Sequence, residues 1–232
     1  MSKSALIVGA GPGISAAFAR KLAAVGYKVH LASRDTAKLQ GLVHEIDGAA
    51  HTCDVLQDGA ITALFETLDG ADIAPEVVLY NPSFRERGPF LELDRERTRK
   101  ALMVTVYGGF VVAQEAARRM VPRGSGTILF TGASASVKGY PQSAPFAMGK
   151  FALRGLSQSM ARELAPQGIH VAHVIIDGGV RNPDRPERIE TPDNPDSMLD
   201  PDAIADTYMH VLAQPRSAWT WEIELRPWVE KF

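Results

Sequence analysis

The chain has 232 residues, 45% of them hydrophobic and 22% charged, which suits one sizeable core and excludes a tail, a fibrous protein or a repeat array. Twenty-five Lys and Arg against 27 Asp and Glu leave a net charge of -2, so there is no electrostatic footprint for nucleic acid or an anionic membrane surface. One cysteine, Cys53, rules out an internal disulfide; with no signal-like segment and no apolar run long enough to span a bilayer, the expectation is a soluble cytoplasmic protein of one domain over 1–232.

Residues 5–8 are a short apolar run that predicts a buried strand, and the glycine cluster Gly9-Ala10-Gly11-Pro12-Gly13 follows at once. Ile14, Phe18, Leu22 and Val25 then recur at spacings of four, four and three, one stripe of a helix that Gly26 ends. Further buried strands are predicted at 28–32, 49–53, 76–80, 126–131, 170–176 and 219–225, with helical patterns over 35–46, 57–68, 94–121, 143–164 and 202–212. This alternation predicts an α/β fold, a doubly wound parallel sheet of about seven strands in a three-layer α/β/α arrangement. Residues 178–201 hold five prolines, many charges and no periodicity, and predict a mobile loop over a substrate site.

Gly9, Gly11 and Gly13, with Ile14 and Ser15, join the first strand to the first helix, where backbone amides and the helix dipole can receive a phosphate. The spacing differs from the general G-x-G-x-x-G dinucleotide pattern, because Ile14 stands where its third glycine would fall. His170 and His173, three apart on a predicted strand, face opposite sides and cannot share a metal ion; none is expected. Trp219, Trp221 and Trp228 read as sheet, core or dimer contacts.

Gly9, Gly13 and Ser15 follow, with one glycine replaced, the G-x-x-x-G-x-G motif of the short-chain dehydrogenase/reductase family, which the chain resembles over nearly its whole length. The resemblance also rests on Cys53-Asp54-Val55 after the third strand, on Tyr80-Asn81-Pro82-Ser83 in place of Asn-Asn-Ala-Gly after the fourth, and on the segment opened by Lys150. It implies a Rossmann-type nicotinamide-dinucleotide domain, with Asp54 and Val55 at the adenine and Asn81 beside the adenosine ribose. At the end of the second strand Ser33 and Arg34 stand where a 2'-phosphate would be read, while Asp35 is one position late for a 2'-hydroxyl, so NADP is expected and NAD is the less favoured cofactor.

The resemblance also implies a catalytic Tyr four residues before a Lys, with a Ser and an Asn, and here the chain departs from the pattern. Phe146 precedes Lys150 with helical i, i+4 geometry but lacks the phenol oxygen. Ala133 holds the position thirteen residues before Phe146, with Ser134 beside it, and Thr105 stands for the Asn in Val104-Thr105-Val106-Tyr107-Gly108. Lys150 alone of the four is kept, as a ribose-binding cation. Ser134, Tyr140 and Asp177 are candidate substitutes, and Asp177, ending a strand, is the first expectation for a proton-transfer group near the nicotinamide.

Two functional readings follow. One is an NADP-dependent oxidoreductase with an altered proton-transfer site, acting on a small molecule such as an activated C=C or C=N compound. The other is a sensor or partner subunit that binds NADP without turnover. Through the long helix from Asp94, the Lys150 helix and the last strand, the resemblance further implies a homodimer or homotetramer.

Overall fold

In the computed structural model, which describes residues 3–182 and 185–230, the apolar runs form β1 (Ser4–Val8), β2 (Lys28–Ser33), β3 (Ala49–Thr52), β4 (Val77–Tyr80), β5 (Gly126–Thr131) and β6 (Ile169–Ile176). Two short strands, β7 (Gly179–Val180) and β8 (Met198–Leu199), precede the edge strand β9 (Glu222–Leu225). Seven of them make one parallel sheet in the order β3-β2-β1-β4-β5-β6-β9. Every residue of β1, β4 and β6 is buried, the signature of strands covered on both faces.

The covering helices are α1 (Ile14–Ala24), α2 (Gln40–Glu45), α3 (Asp58–Gly70), α4 (Arg95–Leu102), α5 (Gly108–Met120), α6 (Ala144–Leu164) and α7 (Pro201–Leu212). Because successive strand residues point to opposite faces, Leu6, Val78, Ile128 and Phe130 pack with Phe65, Val112 and Leu153 on one side. Ala5, Ile7, Leu79 and Leu129 pack with Phe18, Leu22, Ile204 and Tyr208 on the other. The predicted stripe of the first helix is met by Ile14, Phe18 and Leu22, whereas Val25 lies past the helix end and is 54% exposed.

The helix expected to run unbroken over 94–121 does not. Between α4 and α5, Met103–Tyr107 forms a π-helical turn. The cause is a side chain from the sheet: the buried Tyr80 hydroxyl donates to the Val104 carbonyl, diverting it from the regular helical ladder. Gly108 makes room, since a Cβ there would lie 2.7 Å from the Tyr80 hydroxyl.

The last strand begins at Glu222, later than expected, because Trp219 stacks on the His170 ring at 4.7 Å and its indole donates to the Gln214 carbonyl. His173 instead meets Ser136 and Glu222, so the two histidines have separate partners, and no group of metal-ligating side chains occurs among the described residues. Trp228 is 78% exposed. Residues 178–201, expected to form a mobile loop, include the parallel β7–β8 ladder and a 3-10 turn at Pro186–Arg188, while residues 183 and 184 lie outside the described residues. Among the described residues no helix is long and apolar enough to cross a membrane.

Candidate active site

The sheet order reverses at β1 and β4, and the loops beyond their C-terminal ends open into adjoining clefts, the place where doubly wound sheets bind ligands. Gly9 turns the chain with φ +78°, and a Cβ there would lie 2.6 Å from the Pro82 ring, so only glycine lets the two loops approach. Gly13, φ +87°, caps α1, whose first-turn amides have no partner within the helix. Ser15, at the position of the missing glycine, is buried; its hydroxyl donates to the Gly9 carbonyl at 3.3 Å and accepts from Asn81 Nδ2 at 2.9 Å. The substitution therefore staples the glycine loop to the end of β4.

One cleft, of about 310 Å³, is lined by Gly9, Ser33, Arg34, Asp54, Val55 and Asn81. The Asp54 carboxylate accepts the Leu56 amide at 3.1 Å, fixing the turn that closes this cleft. A neighbouring cleft holds Gly11, Arg34, Asp35 and Lys38. Asp35 accepts the Ala37 amide at 3.1 Å and pairs with Lys38 at 3.2 Å, while Arg34 makes no ion pair among the described residues. The sequence reading missed Lys38, a second cation at the same edge.

An adjoining cleft, about 380 Å³, shares Asn81 and Ser83 with the first and is lined by Ile14, Thr131, Ala133, Phe146, Lys150 and Ile176, among others. Lys150 is 3% exposed and its Nζ donates to the Thr131 carbonyl at 2.6 Å. Burial, reinforced by the nearby Arg85 cation, pushes its pKa down to about 7. One turn earlier, the Phe146 ring lies beneath the Arg85 guanidinium, 4.4 Å from its centroid. Ala133 and Phe146 pack together on the wall where the resemblance places a Ser and a Tyr.

Other expected groups lie elsewhere. Asp177 is buried and turned from the cleft: its carboxylate is held by Lys138 at 2.8 Å and Arg226 at 3.5 Å, while its neighbours Ile176 and Gly178 line the cleft. Ser134 opens a 3-10 turn, and it is Ala133 that lines the cleft, so no bulge brings the serine in. Tyr140 is 46% exposed on its loop and is not among the lining residues. Thr105 is buried on the π-helical turn against Gly149, outside the cleft lining, with no hydrogen-bond partner for its hydroxyl among the described residues. Tyr208, on α7, shares Thr131 with Lys150 through a hydroxyl contact of 2.9 Å, but it is fully buried.

A hydrogen-bonded chain that the sequence did not reveal, running from buried Ser136 and His173 to half-buried Glu222 and Arg154, supports the Ala133 wall. Ser136 Oγ accepts the Ala133 amide at 3.1 Å and meets His173 Nε2 at 3.3 Å; His173 Nδ1 meets Glu222 at 3.1 Å, and Arg154 pairs with Glu222 at 2.7 Å. Burial pushes His173 down to about 4, so the ring is neutral at physiological pH.

Comparison with known proteins identifies the family of the fold. The family model described as short chain dehydrogenase matches residues 3–188. The 3-oxoacyl-[acyl-carrier-protein] reductase MabA of Mycobacterium avium is 29% identical over 178 residues, covering 77% of this chain and 67% of that protein. A short-chain dehydrogenase structure from Rhodopseudomonas palustris is 38% identical with TM-score 0.83, covering 97% of this chain and 99% of the other. A metagenomic short-chain oxidoreductase solved in complex with NADP is 26% identical with TM-score 0.84, covering 97% of each chain. By its sheet order, its glycine turn and its match over 3–188, the chain belongs to the short-chain dehydrogenase family.

Proposed function

We propose that the protein is an NADP(H)-dependent oxidoreductase whose proton-transfer site is altered, with Lys150 as the proton-exchanging group. The observation that carries this reading is the pairing of a buried, cleft-lining Lys150 with an oxygen-free Phe146 one turn away. The cofactor fit rests on the first-turn amides of α1, which no capping side chain occupies among the described residues, on Gly9, where a Cβ would block the approach, and on Arg34 and Lys38 at the cleft edge. NADPH, when bound, supplies a hydride to the substrate carbon. Lys150 then gives its proton to the oxygen, nitrogen or carbon left with the electron pair and regains one from water, so that charge and protons balance. Phe146 and Ala133 shape the wall without exchanging a proton.

The direct test is binding of NADPH and its oxidation against a panel of carbonyl, enone and iminium compounds. NADPH is expected to bind at least about tenfold more tightly than NADH, roughly 1.4 kcal/mol, because Arg34 offers charge-assisted bonds to a 2'-phosphate. Calorimetry on Arg34→Ala should abolish the preference, and an unchanged ratio of affinities would remove Arg34 as its reader.

Restoring the missing oxygens gives a second check. Phe146→Tyr with Ala133→Ser is expected to raise reduction of a simple ketone by at least about tenfold, since both positions line the cleft beside Lys150. No gain in a variant that binds NADPH normally would mean that the cleft no longer holds a carbonyl in the family pose.

We further propose that the chain assembles through α5 and α6, where Phe110, Met148 and Phe151 are 41%, 49% and 44% exposed. Light scattering should show a dimer or tetramer at micromolar concentration, and Phe151→Glu should shift it toward monomer; a monomeric wild type sinks the idea.

A further inference from the structure

Arg85, Arg185 and Arg188 all line the cleft that holds Lys150, and among the described residues that lining contains no carboxylate. Arg85 follows β4, while the other two come from the segment between β7 and β8. Among the described residues none of the three forms an ion pair, although nearby arginines do: Arg97 with Glu86, and Arg181 with Asp200. Burial of the guanidinium, then repulsion from Arg87, Arg188 and Arg185, weakens Arg85's hold on its proton, and Arg85 in turn lowers Lys150. Convergent cations in a partly enclosed space are costly unless an anion completes the set.

The wall also carries the apolar side chains Ile14, Ala133, Phe146, Ile176 and Val180, beside the polar Asn81, Ser83 and Thr131. Phe146 gains a role here, because its ring is a flat platform on which the Arg85 guanidinium stacks and keeps its hydrogen-bonding edge free. Such an arrangement suits an organic acid, whose carboxylate meets the guanidinium groups while its body lies against the apolar wall. The phosphates of a dinucleotide would be received at the first turn of α1, whose Ile14 borders this cleft, so an organic acid would bind beside the cofactor.

We propose that the substrate of this cleft is a small organic carboxylate, its carboxyl group received by Arg85 together with Arg185 and Arg188. This rests on the NADP(H)-dependent reading for the chemistry performed, whereas the anion site stands on the cleft itself.

The test uses the full chain saturated with NADPH and follows the fluorescence of the bound cofactor during titration with benzoate, its neutral analogue benzamide, and inorganic phosphate. Benzoate is expected to bind at least about tenfold more tightly than benzamide, and Arg85→Ala should erase that preference without weakening NADPH. Equal binding of benzoate and benzamide, or binding of neither, overturns the proposal. So does phosphate displacing benzoate at lower concentration, which would mark a phosphate site, or an Arg85→Ala variant that loses NADPH instead. If NADPH does not bind at all, the cofactor reading fails separately; calorimetry of benzoate and benzamide on the cofactor-free protein still decides whether the arginines select a carboxylate.

Discussion

Replacing Lys150 by Met is expected to lower turnover at saturating NADPH by at least about a hundredfold, within the range for loss of a proton-transfer group. An ordinary lysine, with its pKa above 10, would be a poor acid at neutral pH; burial and Arg85 bring Lys150 to about 7, where its proton is readily given up. The sign of the pH dependence follows. Lys150 carries its proton below about 7 and loses it above, so reduction should fall about tenfold per unit as pH rises well beyond that value. Bound cofactor phosphates would favour the charged form and move the fall upward in pH without reversing it. Lys150→Arg separates charge from proton exchange, because a guanidinium keeps the cation and does not release a proton. If Lys150→Arg stays as active as the wild type with an unchanged pH profile, Lys150 only holds the ribose and the proton comes from solvent.

The second large effect concerns stability. Gly108→Ala is expected to cost about 1–3 kcal/mol through overpacking, a fall in Tm of roughly 2–4 °C per kcal/mol at this size. The added Cβ would stand 2.7 Å from the Tyr80 hydroxyl and 2.9 Å from the Val55 carbonyl, and neither atom is the free end of a flexible chain. Tyr80→Phe in the same background removes the first clash and should recover part of the loss, giving a non-zero coupling in a double-mutant cycle of thermal melts. Simple additivity of the two changes would mean that Tyr80 does not hold the π-helical turn in place.

How much of this was legible in the sequence depended on whether the cause was local. Strands buried on both faces announce themselves as apolar runs, so β1, β2, β4, β5 and β6 were placed to within a residue or so of their bounds. The glycine turn was legible for the same reason, since Gly9 and Gly13 have positive φ imposed where the chain must double back. The π-helical turn was not, because its cause, Tyr80, is 24 residues from the carbonyl it engages. Asp177 looked like a free carboxylate at a strand end; its partners Lys138 and Arg226 arrive from two distant loops. Arg85 was not among the expected site residues, because it stands in a charged stretch with Glu86 and Arg87 and only the fold sets its guanidinium over Phe146. The two-residue strands β7 and β8 are too short to leave any periodicity.

The sheet order also bears on how the chain reaches its native state. Leu6 of β1 lies beside His30 of β2 on one side and Val78 of β4 on the other. The first pairing closes one strand-helix-strand unit, while the second must wait until two further units have been traversed, and non-local pairings of that kind form slowly. The β1–β4 line is thus the seam along which β3-β2-β1 and β4-β5-β6-β9 meet, and Asn81 stitches its end through its amide to the Val8 carbonyl and its side chain to Ser15. A ligand occupying the two clefts that share Asn81 and Ser83 would lie across that seam, touching Gly9, Ser33 and Arg34 on one half and Thr131 and Lys150 on the other. Such a ligand would act as a clasp between two halves, slowing their separation, so that resistance to unfolding would report on cofactor occupancy as directly as turnover does.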